Sequence, residues 1–144
     1  MLGRKTYTLQ ELDNATIAIE QQLAAYTALR SAAAADPAAT SALDAFEPIL
    51  LENLLLALDR RFVHRLRGSA GKDANPLNEV ELLTESLLNN GGVLRANNVI
   101  KLVAEQTVLG FEVGDRIVLD AQQFERLARA FLAEIDAKFL PSGA

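Results

Sequence analysis

The side chains that could do chemistry are concentrated in one short stretch. Arg60, Arg61, Arg65, Arg67 and Lys72 carry five of the 14 basic charges of the chain, and its single histidine, His64, stands among them. Guanidinium groups offer paired donors to a carboxylate or phosphate. Behind the cluster, Asn75-Pro76 has the form of a helix start, whose free amides add partial positive charge. On a helical wheel Arg60, His64 and Arg67 share a side, so Arg60, His64, Arg67, Lys72 and Asn75 define a candidate site for a small anionic ligand. A plainer description fits the same residues. Cations near a helix end complement its dipole and pair with acids such as Asp59, Asp73 and Glu79. The helix-end description is favoured, because the formal net charge is −5 and no phosphate-loop spacing is intact.

Other chemistry is harder to build from this chain. Gly68-Ser69-Ala70-Gly71-Lys72-Asp73 has two residues between its glycines and an aspartate after the lysine, whereas a Walker loop needs four and a Ser or Thr. A di-iron bundle needs Glu-x-x-His on two helices, but the residue three before His64 is Arg61. One histidine and no cysteine leave no thiolate nucleophile, no disulfide and a poor basis for zinc. Calcium-loop spacing is missing too. Ser69 or Ser86 with His64 and an aspartate could in principle form a triad, but no nucleophile-elbow pattern supports one. No metal and no cofactor are expected.

The elements that must position the cluster read as helices. Thr8-Leu9-Gln10-Glu11 is a capping box, and Leu9, Leu12, Thr16, Ile19, Leu23 and Tyr26 follow at helical steps. The Ala-rich run 31–42 is a connection. Helix two starts at Asp36-Pro37 or at Asp44-Ala45-Phe46-Glu47-Pro48 and runs to about Arg67. Leu51, Leu55, Leu58, Phe62 and Leu66 fall on one side of it, while Phe46, Ile49, Leu56 and Ala57 fall on the other. Such a helix is either central or covered on one side by a second chain. Asn75-Pro76 opens helix three, which Asn89-Asn90-Gly91-Gly92 ends. Two β-branched runs, Val99–Val103 and Arg116–Leu119, predict a short β-hairpin before the last helix. That helix starts at the capping box Asp120-Ala121-Gln122-Gln123 and presents Phe124, Leu127, Phe131, Ile135 and Phe139. The expected fold is mainly α: a four-helix bundle-like single domain over residues 1–144, with a hairpin insertion between the third and fourth helices.

Composition sets further bounds. At 144 residues one core can form without cross-links. Half of the residues are hydrophobic, which is apolar for such a domain and suggests surface covered by a partner subunit. The negative charge opposes nucleic acid and anionic membranes. Met1–Tyr7 has basic residues without an apolar run behind them, and Ile49–Leu58 is too short to span a bilayer, so a cytoplasmic location is expected.

From about Phe46 to Phe139 the chain resembles a family of small uncharacterised bacterial helical proteins that share a K-D-x-N-P-L-N-E-V motif. The resemblance rests on Asp59-Arg60-Arg61-Phe62-Val63-His64-Arg65, on Gly71-Lys72-Asp73-Ala74-Asn75-Pro76-Leu77-Asn78-Glu79-Val80 and on Val113-Gly114-Asp115. Family members commonly carry glycine where Ala74 stands. The family has no established activity, so the resemblance implies no substrate and no catalytic residue. It does point to the junction of helices two and three. The leading expectation is a non-enzymatic interaction or accessory protein, homo-oligomeric through helix two. The rivals are an anion-binding domain and an enzyme using the same basic cluster.

Overall fold

The structure, a computed structural model, describes residues 6–141. Met1–Lys5, most of the stretch read for a leader, lie outside them. Four long helices and one short one follow in chain order: α1 (Leu9–Ala33), α2 (Pro37–Arg61), α3 (Arg67–Ala70), α4 (Pro76–Asn89) and α5 (Ala121–Phe139). Both sequence-predicted capping boxes form. The Thr8 hydroxyl accepts from the Glu11 amide at 3.1 Å while the Glu11 carboxylate takes the Thr8 amide at 2.8 Å, and Asp120 and Gln123 do the same for α5. Each satisfies two amides that the helix itself leaves without partners.

Packing runs round a ring. α1 lies against α2 and α5, α4 lies against the same two, and α2 also reaches α5. Leu51, Leu55 and Leu58 of α2, Leu77, Val80 and Leu83 of α4, and Phe124, Phe131 and Ile135 of α5 meet in one fully buried cluster. The most enclosed helix is α4, which buries Asn78, Glu79, Glu81, Thr84 and Ser86 beside its apolar residues. α2, by contrast, keeps Phe46 and Ile49 in contact with solvent.

Helix two differs from expectation at its end. Asp36-Pro37 is the start used, with Asp36 accepting from the amides of Ala38 and Ala39, and Pro48 falls inside the helix. An interior proline costs about 3 kcal/mol through its missing amide bond and ring clash, a cost set against three leucines buried to 0–1% exposure one to three turns later. The helix stops at Arg61 rather than Arg67. Phe62 adopts an extended conformation, and over the next residues the chain alternates: Phe62 in, Val63 out, His64 in. The Tyr7 hydroxyl holds the turn-off by accepting the Val63 amide at 2.6 Å, and the Tyr7 and Phe62 rings meet edge to face at 4.8 Å. Burying two rings from an extended segment outweighs another helical turn.

The β-hairpin is also corrected. Among the described residues there is no strand, only a single antiparallel bridge between Val93 and Arg116. The second run does begin to pair, but with residues 92–94: Leu94 donates to the Asp115 carbonyl and Ile117 to that of Gly92. The first run, Val99–Val103, lies elsewhere, with the Lys101 amide on the Lys72 carbonyl at 2.7 Å. Ile100, Ile117 and Leu119 are buried singly in the common core. The β-branched Ile100 and Ile117 thus serve packing rather than a ladder.

Candidate functional site

The junction of α2, α3 and α4 is built round two arginines. Arg67, at the start of α3, donates through Nη1 to the Gly71 carbonyl at 2.9 Å and to Asn78 Oδ1 at 3.2 Å, and through Nη2 to Glu81 of α4. Asn75 caps α4 by accepting the Asn78 amide at 3.1 Å, while its own amide group reaches the Ala70 carbonyl at 2.6 Å and Asp73 Oδ1 at 2.9 Å. Asn78 closes the circuit with Nδ2 on the carbonyls of Asp73 and Gly71. Gly71 has φ +73°, and a Cβ there would stand 3.1 Å from Asp73 Oδ1, so glycine suits this turn for both backbone and space.

Arg65 serves the second centre. Its Nη2 lies 3.1 Å from both oxygens of Asp59 and 2.9 Å from the Thr84 hydroxyl, and its Nη1 lies 2.9 Å from Glu85. Asp59 also meets His64 Nε2 at 2.7 Å. Burial works against the Asp59 carboxylate, but the His64 bond and the Arg65 charge outweigh it and hold its pKa below the ordinary value. His64 is only 1% exposed, with its ring edge to face against Phe131 at 4.9 Å. Bonding to a carboxylate makes Nε2 a donor, and Nδ1 is buried without a hydrogen-bond partner among the described residues. A histidine on a carboxylate resembles the base half of a catalytic pair, yet a general base must reach the proton it removes, and this ring is sealed.

Of the five residues proposed as an anion site, Arg67 and Asn75 come together. His64 belongs to the other centre. Lys72 is exposed at its side chain, and Arg60 is exposed on α2; neither side chain has a polar partner among the described residues. The wheel that grouped Arg60, His64 and Arg67 assumed a helix that ends at Arg61. The partners missed by sequence reasoning are Asn78, Glu81, Thr84 and Glu85, all on α4. Their signal was present: these polar residues are interleaved among Leu77, Val80, Leu82 and Leu83, which only a helix enclosed on several sides would bury together.

Glu79 was expected among the acids serving the cations, but it faces the long segment between α4 and α5. Its two oxygens accept the amides of Val108 at 2.7 Å and Leu109 at 3.0 Å. Burial raises its pKa despite those two bonds and the Arg126 charge. A void of about 10 Å³ beside it, lined by Leu82, Leu94 and Phe111 among others, has room for about one water.

A separate polar cluster ties α1 and α2 to α5. Glu47 Oε1 accepts from the Tyr26 hydroxyl at 2.5 Å and from Arg30 at 2.8 Å, and Oε2 takes the Ala121 amide at 3.1 Å. Arg30 also reaches Asp44 at 2.6 Å. Although burial works the other way, these donors hold the Glu47 pKa below its ordinary value. Nearby, α2 turns a largely uncharged side outward, with Glu52 half-buried at its edge. Ala42, Ala45, Phe46, Ile49 and Asn53 are exposed there, with Phe46 at 43% and Ile49 at 57%.

Among the described residues no group of three or more His, Asp or Glu side chains could hold a metal ion, and no helix is long and apolar enough to cross a membrane. Comparison with family models, with curated proteins and with solved structures finds no match for this chain.

Proposed function

We propose that this chain is a non-catalytic helical interaction or accessory module that works as a homo-oligomer, with the outward side of α2 in the interface and the basic junction acting as structural cement. The observation that carries this reading is the exposure of Phe46 and Ile49, one helical turn apart, on a helix whose opposite side is fully buried. A lone exposed apolar residue needs no explanation, but adjacent large ones on one helix side are a feature of contact surfaces. The competing reading, a small anion held by Arg60, His64, Arg67, Lys72 and Asn75, requires the Arg67 guanidinium to leave Glu81 and the Gly71 carbonyl, and it lacks a histidine that can reach solvent.

Light scattering across a range of protein concentrations tests the proposal. The expected result is a mass above the 15.6 kDa of one chain, returned to 15.6 kDa by Ile49→Glu with the helical spectrum unchanged. A 15.6 kDa particle at every concentration would refute it. Stabilisation by phosphate or sulfate that ionic strength alone does not reproduce, and that Arg67→Ala abolishes, would establish the anion-binding reading instead.

A further inference from the structure

The segment between α4 and α5 is held unevenly. Its ends are tied down. At one, Ile100 is buried and the Lys101 amide reaches the Lys72 carbonyl; at the other, Ile117 is buried and the Gly114 amide reaches the Leu94 carbonyl at 2.9 Å. Between them, no residue from 102 to 113 is fully buried, and Leu102, Val108, Leu109 and Phe111 rest half-buried against the core. Among the described residues three hydrogen bonds join this stretch to the helices, and all three fall at one place. Glu79 of α4 takes the amides of Val108 and Leu109, and Arg126 of α5 donates to the Val108 carbonyl at 2.9 Å. The other hydrogen bonds of the stretch are local, each between residues three positions apart, as around the 3₁₀ turn Ala104–Gln106.

We propose that residues 102–113 are a strap that opens as one unit while the helices stay packed, with Glu79 as its latch. This goes beyond the interaction role above and does not depend on it. Half-buried side chains lose less apolar burial on lifting than the enclosed leucines of α2 and α4 lose on unfolding. The contact beneath the strap is also incomplete. The void of about 10 Å³ lies between Leu102, Thr107 and Phe111 on the strap and Leu82 and Leu83 on α4, so atoms facing it lack contacts. The latch itself works against burial, which raises the Glu79 pKa despite the two amides, so desolvation offsets part of what those bonds contribute.

Opening is all or none because the local bonds cannot stand alone. A single 3₁₀ turn has little stability in water, so it is lost once the latch releases. The open strap presents an apolar side of α4 that carries one carboxylate, since Glu79, Leu82 and Leu83 stand at helical steps of three and four.

Native-state hydrogen exchange in low urea tests the strap, with the amides of Gln106, Thr107, Val108, Leu109 and Gly110 reporting on it and those of Leu83 and Phe131 on the bundle. In wild type the five should share one opening free energy and one urea dependence, both smaller than those of Leu83 and Phe131. Glu79→Gln, which removes the charge and one of the two acceptors, should raise exchange at all five by a common factor of about ten. Arg126→Ala, at an exposed position, should raise it about threefold at the same five, and keeps the test open if Glu79→Gln does not fold. If either variant speeds only Val108 and Leu109, Glu79 pairs two amides without latching a unit, and the inference falls. Separate opening free energies for the five amides in wild type would sink it equally. If the five exchange at the free energy and urea dependence of Leu83 and Phe131, the strap has no opening of its own and the inference falls.

Discussion

The junction of α2, α3 and α4 and the outward side of α2 depart from the usual partition of residues in opposite directions. At the junction Asn78, Glu81, Thr84 and His64 are buried, and the cations they meet have their donors committed to carboxylates, hydroxyls and carbonyls. Along α2, Phe46 and Ile49 stand in solvent on the side opposite the buried leucines. Buried polar groups that satisfy one another add rigidity and specificity to a fold but leave nothing over for a ligand. Exposed apolar groups on a rigid helix leave free energy available for association. Location of charge alone would place function in the first region; the proposed function rests on how the groups are partnered and places it in the second.

The largest expected effect breaks the junction. Arg67→Ala leaves Glu81 and Asn78 facing one another without their shared donor, and removing one partner from a largely enclosed ion pair costs about 3 kcal/mol. Urea unfolding should show that loss. A change below about 0.5 kcal/mol, the range of ordinary surface substitutions, would mean that Arg67 is free for a ligand after all. Next comes Glu79→Ala, expected to cost about 2 kcal/mol by leaving the Val108 and Leu109 amides unpaired in a partly buried setting. Hydrogen exchange should rise first at those two amides.

The acid response sharpens the comparison, since the partly and fully buried carboxylates differ in the sign of their shifts. Asp59 and Glu47 have folded-state pKa values below their ordinary ones, so their contribution is present above about pH 4 and is lost as pH falls through the depressed values. Glu79 has a raised folded-state pKa, so its contribution is present below about pH 4 and is lost as pH rises through the raised value. Thermal unfolding of Asp59→Asn should therefore show a shallower acid loss, while Glu79→Gln should lose the part of the decline that accompanies rising pH just above the ordinary carboxylate range. If Asp59→Asn keeps the full acid loss, the Asp59–His64–Arg65 centre is not what holds the junction. The smallest effect on the fold belongs to Ile49→Glu. An exposed position should change monomer stability by no more than about 0.5 kcal/mol while abolishing association, a separation that would place Ile49 outside the fold's own core.

The helices were legible in the sequence where local signals and burial agree. The two capping boxes, the Asn75-Pro76 start and the aromatic spacing of α5 depend on residues three or four apart, and they appear as read. The end of α2 was not legible, because it depends on Tyr7, 56 positions away, accepting the Val63 amide, and on the Phe131 ring receiving His64. The candidate site was half legible for the same reason. The cations of residues 60–72 are a local feature, but the groups that occupy Arg65 and Arg67 come from α4 and are set by tertiary packing. The supposed hairpin failed because β-branched residues satisfy either a ladder or an isolated seat in a core, and periodicity over five residues does not separate the two.

Hydrogen exchange at low and high protein concentration, with and without phosphate at constant ionic strength, addresses both regions in one experiment. Amides of α2 around Ile49 should become more protected as concentration rises, and amides of residues 63–79 should be indifferent to phosphate. Protection of residues 63–79 by phosphate, with α2 unchanged by concentration, would contradict the account and move the function to the basic junction.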